Sequence, residues 1–142
     1  MTALVLALVL SGAPKTVTVV SIPTPANVRV DDEDVGLTPQ DLKLSPGKHS
    51  IIVAFEGLPS VTQVVTNPKD KSTLTFDLVA AERKRLEAAL KKAKADLKRV
   101  NDRSAKSFTG DTENELMLAN EAVDTAKADL AKFEAQHPPK QK

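Results

Sequence analysis

The chain has 142 residues, 27% of them charged, and a formal net charge of +1, so its length allows one compact domain plus an appendage. The balanced charge excludes a chain-wide field that would concentrate nucleic acid or anionic lipid, and the absence of Tyr and Trp argues against base-stacking and aromatic sugar-binding surfaces. The chain has no cysteine and only two histidines, which excludes disulfides, thiol catalysis and thiolate metal sites and disfavours a multi-histidine metal site.

An apolar run opens the chain. Residues 3–10 are apolar and are followed by Ser11, Gly12 and Ala13, a pattern typical of a signal-peptide core with a small-residue exit. The run is shorter than the roughly 20 residues needed to span a bilayer. We therefore predict that residues 1–14 are a signal peptide and that the protein is extracytoplasmic, either periplasmic or secreted. An additional apolar N-terminal strand or a frayed end is the alternative, and cleavage is left open.

From residue 15 to residue 78 the apolar period is two, which indicates strands with one buried face. Ile51, Val53 and Phe55 share one face of such a strand, and His49 lies in phase with them, as a strand-end residue partly tucked under the core. We predict strands near residues 16–21, 27–30, 49–56, 61–66 and 72–78. Short strands at this spacing favour a sandwich or a small barrel.

Turn-forming residues lie between these predicted strands in a fixed order. Pro46 and Gly47 occupy the central positions of a predicted type II turn, where glycine supplies the positive φ. The other predicted structural turn positions are Pro23, Pro25, Gly36, Thr38, Pro39 and Gly57. Together with Ala26 and Val28, this order resembles the PEGA domain, a small β-sandwich found mostly in bacterial extracytoplasmic proteins. The resemblance covers residues 16–78 and implies an antiparallel sandwich over residues 15–78, an extracytoplasmic location and no general catalytic activity.

Three residues depart from the family pattern. Pro25 and Asp32 stand where the family has turn glycines, and Leu58 stands where it usually has tyrosine. Asp tolerates the left-handed region better than most residues, so the second change is mild. Pro25 cannot adopt a positive φ, and we therefore expect its turn to be built differently here.

Residues 31–34 form an acidic cluster, Asp-Asp-Glu-Asp, in the β-rich segment. A calcium site is one interpretation, because hard cations take carboxylate oxygens, but an EF-hand pattern is lacking. We favour a solvated turn made polar to protect an exposed sheet edge. We predict no metal site and no cofactor.

At Val79 the apolar period changes to the four-three alternation of a helix with one apolar stripe. We predict helices over about residues 79–107 and 113–136, followed by a disordered tail over residues 137–142. The predicted helix-pairing stripe consists of Leu86, Leu90, Ala93, Leu97, Val100, Leu116, Val123, Leu130 and Phe133.

Local signals mark the predicted helix ends. Thr112 and Glu115 have the spacing of a capping box at the start of the second helix. Gly110 is a predicted end signal after the first helix. Pro138 and Pro139 stop the second helix.

The two predicted helices carry opposite charge. Residues 79–107 hold ten basic and four acidic side chains, and residues 112–136 hold two basic and six acidic ones. Opposite charge on two joined heptad segments favours an antiparallel hairpin. The stripes are thin and rich in Ala, so we expect a second copy or a protein partner to cover the hairpin. Phosphate or membrane binding by the basic run at residues 83–85 is a weaker alternative to a solvated helix face.

No catalytic constellation is evident, because the chain lacks a Ser-His-Asp motif in context and a glycine-rich phosphate loop. The predicted fold class is α+β, a small PEGA-like β-sandwich followed by a long two-helix hairpin. We predict a non-enzymatic envelope protein that assembles with proteins through the hairpin, with no nucleic-acid partner and no membrane contact beyond export. One alternative is a module for cell-wall or surface polysaccharide. Another is a regulatory subunit of an envelope enzyme or transport complex.

Overall fold

The computed structural model describes residues 13–69, 71–106 and 110–138, and its internal contacts divide the chain into two units between Leu78 and Val79. The first is a β-unit and the second is helical. Of the predicted signal peptide, residues 1–14, the first twelve residues lie outside the described part of the chain.

The β-unit contains seven described strands. Their bounds are β1 (Lys15–Ile22), β2 (Asn27–Val30), β3 (Glu33–Leu37), β4 (Gln40–Leu44), β5 (Lys48–Ala54), β6 (Val61–Thr66) and β7 (Ser72–Asp77). Two of these, β3 and β4, were not predicted as strands. Each buries few side chains, since Val35 alone in β3 is shielded and β4 buries only Leu42 and Leu44.

The strands form two sheets. One has the order β4-β1-β7 and the other the order β3-β2-β5-β6. Every described pairing is antiparallel except β1 with β7, which is parallel and in which Val19 lies opposite Leu74. The predicted small antiparallel β-sandwich is confirmed as two sheets dominated by antiparallel pairs, with β1 and β7 as the parallel pair.

One hydrophobic core lies in the β-unit. Its residues alternate along the strands as a period of two requires, and each fully buried Val, Ile, Leu or Phe contributes about 1.5–3 kcal/mol. The buried core consists of Val17, Val19, Ala26, Val28, Leu42, Leu44, Ile51, Val53, Phe76 and Leu78. Phe55 and Leu58 pack against it, so Leu58 keeps an apolar role at the position where the family usually has tyrosine.

Two helices of 27 residues each form the second unit, α1 (Leu78–Ser104) and α2 (Gly110–Gln136), and they pack against each other. Arg103 near the end of α1 bonds Glu115 near the start of α2 at 2.8 Å, and Arg83 near the start of α1 bonds the His137 carbonyl just after α2 at 2.8 Å. The helices are therefore antiparallel, and the predicted α+β class is confirmed.

The helix ends differ from the prediction. α2 begins at Gly110, which has no positive φ, so this glycine is a helical residue and is not an end signal for α1. Thr112 consequently lies in the first turn of α2 and does not precede the helix as the predicted capping box requires. The Glu115 carboxylate accepts a hydrogen bond from Arg103. α1 ends at Ser104, before the predicted residue 107. His137, predicted to begin a disordered tail, packs its ring on Phe133 with centroids 4.9 Å apart.

Candidate functional site

The predicted helix-pairing stripe is the least exposed face of the hairpin. Val123 and Phe133 are buried, and the other seven stripe residues are half-buried: Leu86, Leu90, Ala93, Leu97, Val100, Leu116 and Leu130. Two helices alone shield only part of each apolar side chain that lies at the margin of their contact. The hairpin therefore leaves apolar surface that a further element could cover.

A groove of about 470 Å³ runs along one face of this unit, between α1 and α2. We call it the hairpin groove. Its apolar lining is Leu86, Ala89 and Ala93 from α1 with Leu118, Ala122 and Ala126 from α2. Thr125 and two carboxylates, Glu121 and Asp129, complete it. The hairpin groove thus combines an apolar floor with purely acidic charge.

Leu118 is the large apolar side chain that the stripe prediction missed. It is 61% exposed, and its neighbour Met117 is 62% exposed, although Met117 does not line the hairpin groove. The sequence signal was the run Leu116-Met117-Leu118, which is wider than a single stripe needs. Three consecutive apolar residues on a helix place side chains on more than one face.

Most charged side chains in the described part of the hairpin form no ion pair with another hairpin residue. Among the described residues, one ion pair joins the helices, Arg103 with Glu115, and both partners are about half exposed. Such an exposed pair contributes at most about 1 kcal/mol. The side chains without an ion pair in the described part of the hairpin include Lys84, Lys91, Lys92, Lys94 and Lys98 on α1 and Asp111, Glu113, Glu121, Asp129 and Glu134 on α2. The expected charge complementarity exists, but little of it is used between α1 and α2.

Arg85, next to the groove residue Leu86, donates two hydrogen bonds to the buried carboxylate of Glu82. Its Nε lies 2.7 Å from Oε2 and its Nη2 lies 2.6 Å from Oε1. This hydrogen bonding lowers the pKa of Glu82 and raises the pKa of Arg85. The carboxylate of Asp129 on α2 makes a smaller contribution to the raised pKa of Arg85. The two side chains therefore interact electrostatically between the helices without forming a direct ion pair.

In the β-unit, the predicted turn residues lie between strands or at their edges. Gly36, Gly47 and Gly57 have φ values of 128°, 138° and 79°, the region that favours glycine. The peptide bonds before Pro23, Pro25 and Pro39 are cis. Asp32 has a φ of 72°, as expected for an Asp in place of a turn glycine. Pro25 has no positive φ, so its turn is built differently from a glycine turn, also as expected.

Thr38 has a chemical role in its turn that the sequence did not reveal. Its Oγ1 accepts a hydrogen bond from the Ala26 amide at 2.9 Å and also bonds the Ser21 hydroxyl, while its own amide donates to the Ala26 carbonyl at 2.8 Å. Thr38, Ser21 and Ala26 are all buried. The threonine therefore satisfies the buried Ala26 amide and is a second partner for the Ser21 hydroxyl, which also donates to the Pro23 carbonyl at 2.6 Å.

Two basic side chains, His49 and Arg29, hold the acidic turn. Asp31 Oδ2 lies 2.6 Å from His49 Nδ1, its Oδ1 accepts from the Ser50 amide at 2.8 Å, and Arg29 lies 3.1 Å from Asp34. The Ser50 amide and the His49 ring lower the pKa of Asp31, and Asp31 raises the pKa of His49. Among the described residues, no group of three or more metal-ligating side chains converges here or elsewhere.

His49 also reaches Ser45, with Nε2 lying 3.2 Å from Oγ and 2.9 Å from the backbone carbonyl of that residue. An Nε2 directed at a carbonyl oxygen is a donor, so the geometry favours an imidazole protonated at both nitrogens. Such a ring cannot accept the Ser45 proton as a general base. The contact joins the β4–β5 turn to the β2–β3 turn.

A second groove, of about 490 Å³, lies on the β-unit beside these turns. We call it the β-groove. Part of its floor is formed by Val30, Val35 and Leu42, and its polar lining consists of Asp31, Glu33, Gln40, Asp41, Lys43, Ser45 and His49. This groove presents carboxylates, an amide, a hydroxyl, a lysine and an imidazole, and no Phe, Tyr or Trp side chain lines it.

Comparison with known proteins finds a family match over the β-unit and the first residues of α1. Residues 15–82 match the family described as the PEGA domain. No curated protein matches the chain. In the part of the chain that the structure describes, neither helix is long and apolar enough to span a lipid bilayer.

Proposed function

We propose, from the match of residues 15–82 to the PEGA domain family, that the chain is a non-enzymatic protein of the cell envelope that assembles with other protein through its helical hairpin. In this proposal the PEGA domain is a rigid module and the hairpin makes the specific contacts. PEGA domains are often found in extracellular or envelope proteins, and the family is not a known catalytic one. The apolar run at residues 3–10 and its small-residue exit support export.

One observation carries the proposal, namely the apolar surface on the hairpin. The hairpin groove gathers exposed apolar side chains on one face, with Leu118 61% exposed. In the described β-unit the exposed large apolar residues Ile22, Leu37 and Val64 stand on three different strands, β1, β3 and β6. Scattered apolar residues are normal on a surface, whereas a contiguous apolar groove marks an interaction site.

Cross-linked pull-down from fractionated cells tests the proposal. The full chain should be recovered from the envelope or the medium, cross-linked to protein. Leu90→Asp together with Leu130→Asp, which places charge in the helix-pairing stripe, should abolish the cross-links. Val64→Asp, on the exposed face of β6, is the matched control and should leave them intact. Recovery from the cytoplasm alone, or cross-links lost only in the Val64→Asp variant, would contradict the proposal. The identity of the captured protein would show whether an envelope enzyme or transporter is involved.

A second candidate function, binding of cell-wall or surface polysaccharide, is favoured by the lining of the β-groove. A sugar site without aromatic rings has to be assembled from charged and amide side chains, and Glu33, Gln40 and Lys43 supply such groups. Binding to isolated cell wall should then survive moderate salt and be lost in Glu33→Ala with Lys43→Ala. Binding that disappears at high salt would indicate instead the lysines of α1.

A further inference from the structure

We propose that the hairpin groove is covered by the hairpin of a second copy of this chain, so that α1 of each copy lies against α2 of the other. The two copies would be related by a two-fold axis parallel to the helices. This inference rests on the proposed role of the hairpin as the assembling part of the chain and adds the identity and orientation of the occupant.

The floor of the hairpin groove suits a helix. Ala89, Ala93, Ala122 and Ala126 have short side chains, and the distance between packed helices falls as the side chains at the contact become smaller. Leu118 stands 61% exposed beside them. In a packed bundle this leucine would insert between side chains of the opposite helix. A second hairpin therefore covers the apolar surface that one hairpin leaves open.

Charge selects a second copy as the occupant. Over its described span α1 has nine basic and four acidic residues, whereas α2 has two basic and seven acidic residues. Only one ion pair between these helices is made within the hairpin, in the part of the chain that the structure describes. The remaining lysines of α1 match the remaining carboxylates of α2, including Glu121 and Asp129 at the groove. A second copy of the hairpin thus provides acidic side chains on its α2 for the lysines of α1, and basic side chains on its α1 for the carboxylates of α2.

The same charges select the orientation. Two-fold symmetry can place one groove against another in two ways. An axis parallel to the helices sets each α1 against the α2 of the other copy. An axis perpendicular to the helices, lying in the interface, sets α1 against α1 and α2 against α2, which brings like charges together. The first arrangement is a four-helix bundle in which every neighbouring pair is antiparallel and of opposite charge.

Leu118 and Met117 provide a matched pair of variants that tests the surface. Both are exposed to about the same extent on adjacent positions of α2, and only Leu118 lines the hairpin groove. The full-length wild type should show twice its 15.2 kDa chain mass in light scattering at high concentration. Leu118→Glu should raise the dimer dissociation constant by at least about tenfold, because it buries a carboxylate in an apolar contact. Met117→Glu should change it far less. Equal effects of the two variants would overturn the proposed surface.

Spin-label distances test the orientation in the wild-type groove. The chain has no cysteine, so Lys84→Cys and Asp102→Cys each give a single labelling site on α1. Rotation about an axis parallel to the helices keeps each residue at its own height, so each variant should give a short intermolecular distance. A mixed dimer, labelled at residue 84 in one copy and at residue 102 in the other with a distinguishable label, should give a longer distance. These residues lie about 27 Å apart along α1. The reverse order, short in the mixed dimer and long in the two others, would overturn the orientation.

Failure of this inference is separable from failure of the proposed function. A wild type that stays at 15.2 kDa at every concentration overturns the self-pairing. If hairpin-dependent cross-links to a different protein are nevertheless found in cells, the proposed function stands and the occupant is that protein. If neither dimer nor cross-link is found, both proposals fall.

Discussion

The imidazole Nδ1 of His49 lies 2.6 Å from the Oδ2 of Asp31 and joins the β2–β3 turn to the beginning of β5. Sheet register brings the two residues together, because Val30 pairs with Ile51 and the Asp31 amide donates to the Ser50 carbonyl at 2.9 Å. The His49 ring is mostly shielded, whereas the Asp31 side chain is about half exposed. This contact makes the acidic turn part of the folded β-unit.

The first prediction concerns the protonation of His49. Its pKa should lie above the ordinary value of 6.5, because Asp31 accepts a hydrogen bond from the charged ring. Asp31→Asn should lower the midpoint of the His49 titration, followed by NMR of the imidazole carbons. The His49→Gln variant assigns the signal. Asp32→Asn removes a charge from the same turn without touching the ring and is the control. A His49 midpoint unchanged in Asp31→Asn would contradict the contact.

The second prediction follows from the sign of these shifts. Because folding raises the pKa of His49, the stabilisation from the protonated ring is fully present below pH 6.5 and is lost as pH rises through the folded value. Because folding lowers the pKa of Asp31, its stabilisation is present above pH 3.8 and is lost as pH falls through the folded value. The His49–Asp31 pair therefore stabilises the β-unit most between pH 3.8 and pH 6.5.

Urea unfolding of the full chain measures this pH dependence. NMR signals of the core valine methyl groups report on the β-unit alone, since Val17, Val19 and Val53 are buried within it. The urea midpoint should fall between pH 6 and pH 9 in the wild type and fall less in His49→Gln. A steeper fall in the variant than in the wild type would reverse the predicted sign.

The third prediction concerns the hydroxyl of Thr38. Thr38→Val keeps the side-chain volume nearly unchanged but leaves the buried Ala26 amide without its acceptor. The Ser21 hydroxyl loses one of its two partners and keeps the Pro23 carbonyl. We expect a loss of about 1–3 kcal/mol in the free energy of unfolding. Thr62→Val, at an exposed position of β6, should change stability by less than about 0.5 kcal/mol. Equal urea midpoints for the two variants would show that the Thr38 network contributes nothing.

The fourth prediction contrasts two glycines. Gly110 is an exposed helical residue of α2 with no positive φ and no atom within 4 Å of an added Cβ. Gly110→Ala should therefore stabilise the hairpin by about 0.4–1 kcal/mol. Gly36 has a φ of 128°, and an added Cβ would lie 2.7 Å from Gln40 Oε1. Gly36→Ala should cost about 1–3 kcal/mol in the β-unit. Thermal unfolding followed at separate helix and strand signals checks both, and a destabilising Gly110→Ala would place that glycine outside the helix.

The sequence predicts those parts of the fold that bury a regular pattern. The alternation in β5 placed Ile51 and Val53 in the core, and both are fully buried. Strand β3 was missed because four of its five residues are exposed, so no alternation of apolar residues marks it. The start of α2 was missed because glycine is typical of the residue that ends a helix. Here Gly110 has no positive φ and is the first residue of α2.

The candidate sites depend on relations that a linear pattern does not contain. His49 was expected near the core, but its partner Asp31 is 18 residues away and becomes a neighbour only through the β2–β5 register. The helix-pairing stripe was readable from spacing, since its positions follow the helical repeat. The exposure of Leu118 and the acidic lining by Glu121 depend instead on which face of α2 the first helix covers.

The hairpin, and not the β-unit, is the proposed contact surface of this protein. Hydrogen–deuterium exchange of the full-length wild type across a wide concentration range, read by mass spectrometry of peptides, tests it most directly. We predict slower exchange at high concentration in peptides from α1 and α2, strongest around the hairpin groove, with no change in the edge strand β6 or around the β-groove. Concentration-dependent protection confined to the β-unit, with the hairpin unchanged, would contradict the claim.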